Sequence, residues 1–275
     1  VSQAEMTFYL EAMASDATAL IPAPGIGVTV DLGNAAPQGG FGHASGDANG
    51  WLHWALWAHG GKLIDKDNKV VVNSPETAKS LEYVKGLYDN FVPGTASWND
   101  SSNNKAFLAG QLHLTVNGIS IYVTAKKENP QIAEDMNHAH LPAGLDGKTR
   151  ELHLGFPILI FSFSKYPQTC KAFTAFMLEP DQFNPWIEAA QGYLSHFLLG
   201  YDKNPVWTAD PKTTPYQSVA QTASTPAGEA QMSENAAAAI ADFVVVDMFA
   251  NYCTGREDVK TAMASAERAA KRIFR

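Results

Sequence analysis

Asp47 and Asn49 stand just ahead of Trp51 and Trp54, and Trp98 stands beside Asn99 and Asp100. An indole face packs against apolar C–H surface, while carboxylate and amide side chains exchange hydrogen bonds with hydroxyls. Such groupings suit a neutral, polyhydroxylated small molecule. The competing reading is a packed core helix, which applies to Trp51 and with more force to Trp54; Trp98 is expected to be exposed by its polar neighbours. Covalent chemistry finds less support. In Gly42-His43-Ala44-Ser45-Gly46 the serine comes one place late for a nucleophile elbow, and Gly118-Ile119-Ser120 lacks the second glycine. Pro24-Gly25-Ile26-Gly27 has no third glycine for dinucleotide binding, and neither a phosphate-loop lysine motif nor H-E-x-x-H occurs. His138 and His140 could share a strand face and hold a metal, but surface loop histidines are the commoner case. The sequence points to no catalytic residue, no metal and no cofactor.

These side chains need elements to place them. Ala4 to Leu10 reads as a strand, and Val28-Thr29-Val30 as a second short one. Trp51, Leu52, Trp54, Ala55 and Ala58 recur at helical spacing up to Gly60-Gly61. A hairpin is expected around Asp65–Lys69. Ser74-Pro75-Glu76 supplies an N-cap, a proline at the first helical position and an early acid, opening a helix that carries Leu81, Val84 and Leu87 on one face. A short helix around 104–108, a strand over 112–116, a helix from Ile119 and a buried strand over 152–163 follow, then helices over 168–178 and 183–190. Two C-terminal helices close the chain, the last with acids at its start and bases at its end. Strands and helices intermix, so the class is α/β.

The 275 residues can bury a large core as one domain or two lobes. Net charge is −8, which argues against nucleic acid and anionic membrane surfaces as partners. No stretch of about 18 uninterrupted apolar residues is present. Cys170 and Cys253 lie far apart, each in an apolar helical pattern, and read as two separate buried thiols. Val1 in place of methionine is read as the start of a mature product.

Several segments resemble, in order and spacing, family 1 of the extracellular solute-binding proteins of ABC importers. Asp47-Ala48-Asn49-Gly50-Trp51 leads to Gly60-Gly61-Lys62-Leu63; Asn73-Ser74-Pro75-Glu76 opens a helix; Ala106 to Gln111 precedes a strand ending at Asn117-Gly118. Leu141-Pro142-Ala143-Gly144 with Asp146-Gly147-Lys148, then Gly155, and the Gly192-Tyr193-Leu194-Ser195 turn continue the likeness, although Ser195 stands where the family has proline. The resemblance spans about residues 42–275 and favours the sugar and polyol binders. It implies a two-lobed periplasmic-binding-protein-like fold of type II with the solute held between lobes, delivery to permease subunits, a periplasmic or surface-anchored location, a monomer, and no catalysis. Residues 1–50 are expected to form a partial N-terminal lobe with cross-over segments, and 51–275 mainly the C-terminal lobe with hinge segments and the final helices. The family places about a small domain's worth of chain between its first strand and the tryptophan helix; the short interval from Phe8 to Trp51 implies an incomplete first lobe.

By the same resemblance, Asn117, Gly118, Ser120 and Tyr122 at a strand-to-helix junction, Gly155 and Phe156 at a strand start, and Tyr193 join Asp47, Asn49, Trp51, Trp54 and Trp98 as ligand-binding candidates. An ordinary turn, core packing and a surface turn are the alternatives for these three groups. None of the clusters contains Arg or Lys, which favours a neutral ligand over an amino acid, peptide or phosphate ester. A glycoside hydrolase with paired carboxylates and a structural interaction module are the remaining alternatives.

Overall fold

The computed structural model describes residues 19–23, 26–30 and 37–38 at the level of the backbone, and 46–112, 114–153, 158–193, 196 and 198–275. The expected strand over Ala4–Leu10 lies outside these residues. β1 (Ala19–Ala23) and β2 (Ile26–Val30) pair antiparallel, Ala19 opposite Val30. β3 (Pro37–Gln38) runs parallel with β4 (Leu114–Thr115). The helices α1 (Gly46–Ala58), α2 (Pro75–Tyr88), α3 (Ser102–Leu108), α4 (Ser120–Glu128) and α5 (Pro130–Asp135) precede β5 (Glu151–Leu152). Next come α6 (Pro167–Met177), α7 (Pro180–Ala189), three 3-10 segments, α8 (Val219–Thr222), β6 (Ala223–Ser224), α9 (Glu234–Ala241), α10 (Val244–Cys253) and α11 (Val259–Ile273). The structure is α/β, with helices predominating.

Two compact units divide the described chain. The first draws on Val1–Asn117, Leu141–His153 and Ser224–Arg275, the second on Gly118–His140 and Leu154–Ala223. The chain therefore passes from one to the other after Asn117, His140, His153 and Ala223.

In the first unit α1 is the central element. Past its polar first turn it is mostly apolar, and Ala48, Trp51, Leu52, Trp54, Ala55, Leu56 and Ala58 are all buried, with Asn49 and His53 buried among them. α2 starts where the sequence marks it: Ser74 Oγ accepts from Thr77 N–H at 3.2 Å with Pro75 at the first helical position. Such a cap contributes about 1 kcal/mol. Leu81 and Val84 of α2 face the core, and the buried Ser80 donates from Oγ to Ala55 O of α1 at 2.8 Å. In α11, Ala262, Met263, Ala266 and Ala270 recur at spacings of three and four and form its buried stripe. Small side chains there let the helix backbones approach closely.

Residues Glu234–Cys253 have the length and mean hydropathy, 1.5, of a membrane span. The backbone turns at Phe243 (φ 53°), however, and splits the stretch into α9 and α10. Val244, Val245, Val246, Met248 and Phe249 are buried in the core beside α1 and α2. The stretch is part of that core.

The second unit has a smaller core of Ile187, Tyr201 and Trp207, with Phe183, Val206 and Tyr216 packed on it. Trp207 Nε1 donates to Tyr201 O at 2.8 Å. A Cβ on Gly192 (φ 72°) would fall 2.7 Å from the Trp207 ring, so only glycine fits that turn. Trp207 is thus core to this unit.

Two expectations are corrected. Of the strand expected over 152–163, the described residues form only β5 at Glu151–Leu152, whose sheet partner is β6; 154–157 lie outside the described residues. Ile158, Leu159, Phe161 and Phe163 are exposed, and Ser164 N–H donates to Phe161 O in a turn. Alternating apolar residues make a strand only where a neighbouring strand takes up the backbone groups, and none does so among the described residues. Both cysteines are free thiols, but only Cys253 is buried; Cys170 is half-buried on α6, a helix with no buried residue.

Candidate functional site

The first turn of α1 carries a polar cluster within the first unit. Asp47 N–H donates to Asp100 Oδ1 at 3.1 Å, and Asn103 Nδ2 donates to Asp47 Oδ2 at 3.0 Å. Asn103 comes from α3, whose start is tied down by the Asn99 side chain: Asn99 Oδ1 accepts from Ser101 N–H and from Ser102 Oγ, each at 3.1 Å. Asn103 Nδ2 also lies 3.4 Å from Thr115 Oγ1 on β4. One helix, one capped loop and one strand thus converge on a half-buried carboxyl. Burial pushes Asp47 up to about 6, opposed by the Asn103 donor and reinforced by the Asp100 charge. A helix N-terminus favours the anion by only about 0.3–1 kcal/mol, so desolvation wins here. Asp47 Oδ1 has no hydrogen-bond partner among the described residues.

The other candidates in this unit differ in accessibility. Asn49 is buried and its Oδ1 lacks a partner among the described residues, while its carbonyl accepts from His53 Nδ1 at 2.9 Å. Trp51 is 3% exposed, its ring 5.9 Å from Phe91. Trp54 is 5% exposed and donates from Nε1 to Pro142 O at 2.8 Å. Both indoles lie in the core that surrounds α1. Trp98 is half-buried after the Gly94 turn. Asn117, the last residue of this unit before the chain crosses, donates from Nδ2 to Asn104 Oδ1 at 2.7 Å.

The second unit holds the rest. Gly118 is exposed and Ser120 opens α4 half-buried. Tyr122 is buried, its hydroxyl donating to Asp210, with the Lys126 ammonium 4.7 Å from its ring centre. Burial first, then Asp210, hold its phenol up at about 12. That hydroxyl is committed within the unit. Tyr193 is exposed and lines an open depression of about 430 Å³ together with Val123, Thr124, Lys127 and Gln191. Gly155 and Phe156 lie outside the described residues. His138 Nδ1 meets Lys212 O at 2.7 Å and His140 Nε2 meets Ser218 Oγ at 3.0 Å. No group of three His, Cys, Asp or Glu side chains converges among the described residues.

The structure brings Asp47 together with Asn103, a residue the sequence reading did not select. Asn103 and Asn104 sit in a polar Asp-Ser-Ser-Asn-Asn run with no aromatic neighbour nearer than Trp98 and Phe107. Nothing local distinguishes them from a solvated helix start; only the long-range pairing with α1 does.

The family model of the bacterial extracellular solute-binding proteins matches residues 4–215. The chain belongs to that family. This solute-binding protein is 27% identical over 118 residues to a probable ABC transporter-binding protein of Deinococcus radiodurans, covering 42% of this chain and 28% of that protein. Among solved structures it is similar to a sugar transporter from Arthrobacter chlorophenolicus A6 with bound laminaribiose (TM-score 0.71, 18% identity, 87% of this chain and 60% of that one). It is also similar to an ABC transporter solute-binding protein from Thermotoga lettingae with bound alpha-D-tagatose (TM-score 0.67, 19% identity, 85% and 59%). A third, from Agrobacterium radiobacter K84 in complex with ribitol, gives a TM-score of 0.59 at 15% identity, with 87% and 59% covered. These likenesses show the periplasmic-binding-protein-like fold. The chain spans about six-tenths of the length of these solved structures, and 28% of the Deinococcus protein.

Proposed function

We propose that this protein is the solute-binding component of an ABC importer, capturing a neutral sugar or polyol and passing it unchanged to the permease subunits, outside the cytoplasmic membrane and as a monomer. Family membership supports the solute-binding role, and three similar folds carry laminaribiose, tagatose or ribitol. The observation that carries the choice of solute is the Asp47 cluster. Its members are carboxylates and amides, with one carboxylate oxygen unengaged. An acceptor-rich site suits hydroxyl donors, whereas a carboxylate or phosphate solute needs Arg or Lys beside it. Trp98, Asn117, Gly118, Ser120 and Tyr193 remain candidate contacts on this reading.

Calorimetric titration and thermal melting of the full-length protein against laminaribiose, maltose, tagatose and ribitol test the proposal. Micromolar binding at millimolar sugar adds about 4 kcal/mol of stability. Recovery of the sugar unaltered is expected; hydrolysis of laminaribiose or maltose would instead establish an enzyme. Binding of amino acids or sugar phosphates in place of neutral sugars would reject the assignment of solute.

A further inference from the structure

We propose that Asn103 is a positioning residue for solute capture: its amide fixes the Asp47 carboxylate so that Oδ1 is presented to a hydroxyl of the bound sugar or polyol. This rests on the reading of the Asp47 cluster as a solute site. Asn103 is 6% exposed, yet only half of its amide is satisfied. Nδ2 is shared between Asp47 Oδ2 at 3.0 Å and Thr115 Oγ1 at 3.4 Å, while Oδ1 is buried without a partner among the described residues. A buried acceptor left unpaired costs about 1–3 kcal/mol. A side chain chosen for stability alone would not leave that group empty, so the donor end is what the site retains.

The donor end has a definite effect. Donation from Nδ2 favours the ionised form of Asp47, opposing the burial that would otherwise keep it protonated. It also occupies Oδ2, leaving Oδ1 as the acceptor. A second carboxylate, Asp100, bears on Asp47 from the loop before α3 and pushes the other way. Removing the amide therefore makes Asp47 harder to ionise. A protonated carboxyl loses the charge-assisted bond to a hydroxyl, so the pH at which sugar binding appears reports directly on Asn103.

The test is calorimetric titration of laminaribiose, maltose, tagatose and ribitol into the full-length protein between pH 5 and 8, for wild type and for Asn103→Leu. For the wild type, affinity should fall as pH drops through about 6. For Asn103→Leu, the midpoint should move up by roughly one pH unit, with about threefold weaker binding at pH 6.5 and close to tenfold weaker binding at pH 5. Asn103→Asp, which keeps the shape of the side chain, carries the test if the leucine variant does not fold. Two adjacent carboxyls then share a proton and the midpoint rises further. An unchanged affinity and midpoint, or a uniform loss at every pH without a shift of midpoint, would overturn the positioning role while leaving the protein a sugar binder. If none of the four sugars binds wild type at any pH, the solute assignment falls and the role of Asn103 with it.

Discussion

Asp47 and His53 lie on the same helix, and burial biases their ionisation in opposite senses, lifting the carboxyl to about 6 and lowering the imidazole to about 4. Both side chains are held toward their neutral forms. Between pH 3.8 and 6 the native state holds more protons at Asp47 than the unfolded chain does, so this group lowers stability as pH rises through that window. At His53 the unfolded chain holds more protons between pH 4 and 6.5, so this group adds stability as pH rises. Each contributes on the order of 3 kcal/mol, and the two slopes nearly cancel.

Replacing His53 with Gln should expose the uncancelled carboxyl. Relative to wild type, His53→Gln should lose about 3 kcal/mol of stability as the pH rises from 4 to 6.5. Urea unfolding at a series of pH values reads this directly. Parallel pH profiles for the two proteins would show that the imidazole titrates normally.

Asp47→Asn should separate stability from binding. Above pH 6 the buried charge is gone and the fold gains up to about 3 kcal/mol. Affinity for sugar should fall at least about tenfold, since an amide presents a weaker acceptor than a carboxylate. A gain in melting temperature with undiminished binding would detach Asp47 from the site.

The two buried indoles can be sorted by substitution. Trp54→Phe forfeits the bond to Pro142 O and part of the buried surface, at a cost of about 2 kcal/mol, with sugar affinity unchanged. A loss of affinity without a loss of stability would make Trp54 a platform for the solute and not a core residue. Trp51→Phe, which removes packing against Phe91, is expected to behave in the same way.

Glycine substitutions should give effects of opposite sign. A Cβ at Gly144 would stand 2.9 Å from Ala58 Cα and 3.0 Å from Ala58 O, backbone atoms held by Leu145 N–H donating to that same carbonyl. Gly144→Ala should destabilise by about 1–3 kcal/mol. Gly86, exposed within α2 and with nothing nearby, should yield about 0.5–1 kcal/mol of added stability as alanine. Chemical denaturation of both variants checks the pair.

Local chemistry made much of this fold readable. Ser74 and Pro75 announce α2, Asp258 caps α11 through Thr261 N–H, and the run of tryptophan, leucine and alanine along α1 marks a central helix. Pairing was harder to read. The alternation from Leu152 to Phe163 promised a strand, but strand formation depends on a neighbour that is remote in sequence. The site divides in the same way. Asp47 was legible as an acid beside tryptophans, whereas Asn103 acquires meaning only because α3 and β4 bring it to Asp47. Tyr122 looked available at a helix start, and its hydroxyl is taken by Asp210, a partner distant in the chain.

The way the chain weaves between its two units has a consequence for biosynthesis. The core around α1 is completed by α9, α10 and α11, which the ribosome makes well over a hundred residues later. Until those helices emerge, Trp51, Leu52 and Leu56 have no lid, and the nascent polypeptide keeps a sticky, half-built surface. Neither unit can be cut out of the gene as one continuous fragment.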